Sequence, residues 1–152
     1  MKILKWIVII AVVGFVGLQF VPYNRNHTNP PVVSEPNWDS SATKEIAMRA
    51  CYDCHSNETV WPWYSNIAPV SWLVQRDVNS GRRNLNFSDW AHSREKNEIV
   101  EVISGGYMPP SQYLLMHPEA KLTDAEKKLE AANKRIEELE SRIQELDKYK
   151  PT

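Results

Sequence analysis

The sequence predicts an all-α chain in three parts: an N-terminal transmembrane helix, a small helical domain and a C-terminal amphipathic helix. Three observations predict it. Lys2 and Lys5 precede an uncharged apolar run, Trp6 to Val21; the middle of the chain shows helical spacing of apolar residues and no strand-like alternation; and the end of the chain carries a heptad pattern. With 152 residues, a net charge of −1 and two cysteines, the chain has room for one small domain with appendages. That charge argues against a nucleic-acid partner.

Residues 1–23 read as the membrane anchor. From Ile3 to Val21 the apolar segment is 19 residues long, which at about 1.5 Å per residue nearly crosses a hydrocarbon core of about 30 Å. It ends Gly17-Leu-Gln-Phe-Val-Pro-Tyr23, without the small-residue site of a cleaved signal peptide and without a cysteine for lipidation. An uncleaved single-pass anchor in the cytoplasmic membrane follows. Lys2 and Lys5 would hold its start in the cytoplasm and leave the domain on the periplasmic side. Residues 24–37, rich in Asn and Pro with Pro30, Pro31 and Pro36, read as a semi-extended spacer, and His27 within it as an inert surface histidine.

Residues 38–128 form the predicted domain. Asp39, Ser40 and Ser41 are candidate N-caps of a helix carrying Ile46, Ala47, Ala50, Cys51 and Cys54 along one stripe. Pro69 suits the first turn of a second helix, with Val70, Leu73, Val74 and Val78 inward and Gly81 as its stop. Ser88 is a candidate cap for a third, carrying Trp90, Ile99, Val102 and Ile103 up to Gly105-Gly106. Thr123-Asp-Ala-Glu126 is a capping box that opens the last helix.

The chemistry concentrates in Cys51-Tyr-Asp-Cys-His55, the C-x-x-C-H signature of covalent c-type haem attachment. On a helix His55 lies one turn beyond Cys51 and beside Cys54, so both thiols can reach the vinyl groups of one porphyrin while the imidazole meets the iron. A redox dithiol would need a βαβ context that is absent; a zinc site would need His27, His92 or His117 to complete four ligands; a disulfide is the third alternative. A domain of about 90 residues buries little apolar surface, and a haem would fill its core. Trp38, Trp61, Trp63, Trp72 and Trp90 with Tyr52, Tyr64 and Tyr107 are rings suited to line a porphyrin pocket or to pack on one another. A second feature, Gly105-Gly-Tyr-Met-Pro-Pro110, fixes an irregular loop around Met108, a candidate second axial ligand whose soft sulfur would favour reduced iron. Its competitors are His92, Met116 and His117.

Residues 45 to 126 resemble the bacterial haem-binding domain family of small membrane-anchored single-haem proteins and, more distantly, mono-haem c-type cytochromes. The resemblance rests on CYDCHSNETVWPWYSNIAPVSWLV at 51–74, LNFSDW at 85–90 and GGYMPPSQYLLMHPEAKLTDAEK at 105–127. It implies a cytochrome c-like helical fold, one covalent haem c on Cys51 and Cys54, iron ligation by His55, Met108 opposite, and a place at the outer face of the cytoplasmic membrane. The expected role is a single-electron carrier serving a redox partner protein or membrane complex, and not an enzyme, since no acid, base or nucleophile constellation is present. The rivals are a haem-based sensor with a displaceable sixth ligand and a structural subunit of a respiratory or photosynthetic complex.

The chain departs from that family after Lys128. In residues 129–152, Leu129, Ala132, Ile136, Leu139, Ile143 and Leu146 keep three-four spacing, placing Ile136 and Ile143 at a and Leu139 and Leu146 at d. The g residues Arg135 and Arg142 would oppose the e residues Glu140 and Asp147 of a parallel partner. The tail is thus expected to self-pair as a homodimer coiled coil, with docking on another subunit or on its own domain as alternatives.

Overall fold

The computed structural model describes residues 2–23 and 25–148; Asn24 of the expected spacer and residues 149–152 of the expected tail lie outside the described residues. Among the described residues seven α-helices run in chain order: α1 Lys2–Leu18, α2 Ser41–Ala50, α3 Tyr52–His55, α4 Val70–Asn84, α5 Ile99–Ser104, α6 Ser111–Leu114 and α7 Asp124–Asp147. Short 3-10 turns at Trp63–Asn66, Trp90–His92, Lys96–Glu98 and Pro118–Ala120 link them. Among the described residues the only β pairing is an isolated bridge between Ser34 and Asp89. The all-α expectation holds.

The transmembrane expectation does not. No helix among the described residues is long and apolar enough to cross a membrane. The apolar run extends to Val21, but α1 stops at Leu18 after 17 residues, about 25 Å at the α-helical rise. Gln19 is the physical reason. Its side-chain amide donates to Phe15 O (3.0 Å) and to Ala68 O (3.0 Å), while its Oε1 accepts from Ala68 N (3.0 Å). Residues 19–21 follow in tight turns bonded three residues back, before Pro22. The single-pass placement in the cytoplasmic membrane, with the domain on its outer side, loses its support with the span.

Elsewhere local chemistry decides where helices start and stop. Ser40 caps α2 by accepting from Thr43 N at 3.1 Å. The single helix expected through Cys54 is broken at Cys51 (φ −126°), although Cys51 O still accepts from His55 N at 2.9 Å and so preserves one helical turn through the motif. Ser88 caps nothing: it is buried and its hydroxyl accepts from Asn57 N, and the expected third helix becomes two 3-10 turns followed by α5. Gly106, at φ +74°, ends that segment in the left-handed region, where a side chain would be strained.

The inward face of α4 also differs. Ser71, Gln75, Val78 and Gly81 are buried, whereas Val70 and Leu73 are exposed. Gly81 does not stop the helix but permits its closest approach to α3: a Cβ there would lie 2.3 Å from Cys54 O. A larger residue at 81 would hold the helices apart, and the buried face of α4 mixes Ser71 and Gln75 with Val78.

Two apolar clusters form the core. Ala47, Tyr52, Leu85 and Phe87 make one, with Trp38 and Trp90 against it; Ala50, Ile103 and Leu122 make the other. Cys51 and Ile99 pack against both. The Phe87 ring stacks on Trp38 (5.5 Å), Tyr52 (5.4 Å) and Trp90 (5.7 Å), so these three aromatics pack around Phe87. The segment expected as a spacer lies along the domain: Arg82 donates to Thr28 O and Asn29 Oδ1, and Asn57 donates to Pro31 O.

Replacing Gly81 with Ala tests the α3–α4 contact. In an ordinary helix interior the change stabilises by up to about 1 kcal/mol; here the clash with backbone should make it destabilising by about 1–3 kcal/mol. Denaturant unfolding reads the sign, and a gain in stability would contradict this packing.

Candidate functional site

The C-x-x-C-H turn is held by the segment that follows α4. Phe87 N donates to His55 O at 2.7 Å, and the His55 ring pairs through Nδ1 with Leu85 O at 3.0 Å. A carbonyl only accepts, so Nδ1 carries the proton and the lone pair of the neutral imidazole lies on Nε2. A metal-ligating histidine needs this arrangement, one ring nitrogen donating to a carbonyl to fix tautomer and orientation while the other binds. Burial lowers the pKa of His55, against the opposing pull of the Leu85 and Gly81 carbonyls and of Glu95. The ring is thus kept neutral, the form that binds iron.

The two thiols flank this histidine. Cys51 is half-buried where the two core clusters meet. Cys54 is half-buried beneath α4, and burial, reinforced by Asp77 and Asp53 and opposed by Arg82, pushes its thiol up to about 12. It is a protonated thiol, not a poised redox nucleophile. No group of three or more His, Cys, Asp or Glu side chains among the described residues could hold a metal ion, which leaves the zinc alternative without ligands.

Asp53, between the cysteines, locks the turn from the other side. Its carboxylate accepts from Tyr113 OH (2.7 Å) and Val60 N (3.1 Å), and its carbonyl accepts from Thr59 Oγ1 (2.8 Å). Arg82 donates to Ser56 O (2.7 Å) and to Thr59 Oγ1 (2.8 Å), closing the loop after His55. Burial, then the bond to Asp53, raises the Tyr113 pKa, so the phenol stays a donor. None of Leu85, Phe87, Tyr113 or Arg82 was singled out by sequence. The decisive group on Leu85 is a carbonyl, which every residue carries, and only the fold says which one arrives.

The candidate second ligands separate by their partners. His117 has both ring nitrogens engaged, Nε2 with Tyr64 OH (2.7 Å) and Nδ1 with Glu119 (3.1 Å), and its ring stacks on Tyr113 at 4.3 Å. His92 is an exposed ring paired with Asp89 at 2.7 Å. His27, expected to be inert, stacks on Trp61 at 4.5 Å and bonds Ser65 O. Met108 follows α5 on a loop whose Tyr107 and Met108 amides both donate to Val102 O, and its side chain is 37% exposed; Met116 is 55% exposed. The two methionines are the candidates that need break no bond to reach a metal.

Among the aromatic side chains expected as pocket lining, Trp63 and Tyr64 pack edge-to-face at 5.8 Å. Trp61 carries His27 on one face and lies 5.9 Å from the Arg82 guanidinium, Trp72 packs edge-on against Tyr23, and Tyr64 bonds His117. Trp63 and Tyr107 are exposed. The indole nitrogens of Trp61 and Trp72 are buried with no protein partner in the fold.

A family model described as the haem-binding domain matches residues 13–132. No curated protein and no solved structure matches the chain.

The raised Cys54 pKa has a measurable consequence in the haem-free chain. Unfolding returns the thiol to its ordinary value of 9.0, below the folded value of about 12, so the unfolded state loses its proton first. The contribution is complete below pH 9 and is lost as pH rises towards 12. Tyr52, raised from 10.0 to about 12 by burial, adds to the slope only above pH 10. Denaturant midpoints between pH 8 and pH 10 should fall for the native sequence and fall less for Cys54→Ala; equal slopes would show that Cys54 is not buried as described.

Proposed function

We propose, from the premise that this chain belongs to the haem-binding domain family and binds haem, that it holds one haem c covalently and carries single electrons. The observation that carries the reading is the His55 Nδ1 bond to Leu85 O, which leaves Nε2 for iron on the same turn as the two thiols. Cys51 and Cys54 would hold the porphyrin through thioether bonds formed by addition of each thiol to a vinyl group, and His55 and Met108 would ligate the iron. When bound, the haem supplies a one-electron iron couple. The protein's part is to fix that turn rigidly. Ser56 and Asn57 are buried behind it, with Ser56 Oγ donating to Tyr52 O and Asn57 Oδ1 accepting from Asn86 Nδ2. A ligand held this firmly need not reorganise between oxidation states, which suits electron carriage over substrate turnover.

A second reading, a sensor with a displaceable sixth ligand, draws on the exposure of Met108. One experiment separates the two. In an electron carrier the ferrous protein should be six-coordinate and inert to carbon monoxide, and Met108→Ala should open it to carbon monoxide and lower the potential, while Met116→Ala changes neither. Rapid carbon monoxide binding by the native sequence would favour the sensor.

The covalent bond is tested separately. Haem should remain with the polypeptide through a denaturing gel and acid-acetone extraction, and Cys51→Ala with Cys54→Ala should release it. Extraction of haem from the native sequence would overturn the c-type assignment.

A further inference from the structure

We propose that the second half of α7 is a docking surface for a second copy of this chain, paired in parallel. The inference stands apart from the haem reading. The capping box at Thr123 and Glu126 opens α7, and its first half is tied to the domain: Glu126 pairs with Arg49, Asn133 bonds Asp39, and Lys134 reaches Asn97 O. Beyond Lys134 the apolar residues of the heptad have no cover. Ile136, Leu139, Ile143 and Leu146 are 53, 44, 57 and 67% exposed. These four residues lie beyond the family match, which ends at residue 132.

The geometry leaves the seam open. In the heptad register the residues that hold α7 to the domain, Glu126, Asn133 and Lys134, occupy e and f, whereas the exposed stripe occupies a and d. Successive residues turn by about 100°, so e lies only about 40° from a and the domain flanks the seam along the first half of α7; beyond Lys134, where Ile136, Leu139, Ile143 and Leu146 are exposed, a second helix can approach it.

Charge selects the occupant. In a parallel pair each g residue faces the e residue five positions on in the partner, which sets Arg135 against Glu140 and Arg142 against Asp147, opposite charges in both cases. A copy of the same segment is therefore complementary to it. Isoleucine at a with leucine at d selects two parallel strands. Short isolated helices are marginal in water, but the docked, capped first half preforms this one and removes the nucleation cost. With two filled heptads the dissociation constant should be on the order of 10–100 μM.

The test is sedimentation equilibrium of the full chain from about 1 to 500 μM, in a neutrally buoyant detergent that covers the apolar surface of α1. The mass should rise from one copy towards two. Ile136→Asp with Ile143→Asp, both at exposed positions, should hold it at one copy. Arg135→Glu with Arg142→Glu should weaken pairing at least tenfold, and adding Glu140→Arg with Asp147→Arg should restore it. One copy throughout would overturn the proposal and leave the stripe to a different protein; association indifferent to these substitutions, or no recovery in the charge-swapped chain, would overturn it as well.

Discussion

The approach of α4 to the backbone of Cys54 is the constraint on which the rest depends. Because residue 81 has no Cβ, the two helices meet with backbone against side-chain-free backbone, and α4 ends three residues later at Asn84. The chain leaving α4 then runs beside the motif. Leu85 delivers its carbonyl to the His55 ring, Phe87 its amide to the His55 carbonyl, and the Phe87 ring enters the aromatic stack with Trp38, Tyr52 and Trp90. One close contact therefore sets the tautomer of the histidine, the position of the turn and the centre of the larger apolar cluster. Metal-site residues held through a second set of bonds in this way are oriented before the metal arrives.

What the sequence disclosed follows from how local each signal is. The caps at Ser40 and Thr123 depend on residues three positions apart, and both formed as read. The haem-binding family was legible in Cys51, Cys54 and His55 and in the stretches around them, and the family match bears it out. Long-range signals failed for identifiable reasons. The apolar count of the first segment took no account of Gln19, whose amide finds Ala68 forty-nine residues away and ends the helix. Hydrophobicity places Val78 inward on α4, as observed, but Ser71, Gln75 and Gly81 share that face while Val70 and Leu73 lie outside. The Leu85 carbonyl has no sequence signal at all.

The two chemistries of the chain are separated in space and in kind. Near Cys54 and Asp53, Tyr113 bonds Asp53, Tyr64 bonds His117, and His117 also pairs with Glu119. These bonds occupy both ring nitrogens of His117. At the far end, α7 leaves the domain as a patterned and uncovered helix. Haem binding belongs to residues 13–132, and association through the tail would bring two such domains together without altering either.

The central claim is that the fold presents His55 through Nε2 with Nδ1 committed to Leu85. A crystal structure of the haem-loaded chain tests it most directly. The account predicts iron on His55 Nε2, thioether bonds to Cys51 and Cys54, and Nδ1 still within hydrogen-bond distance of Leu85 O. Iron held through Nδ1, or a His55 ring turned away from Leu85, would contradict it.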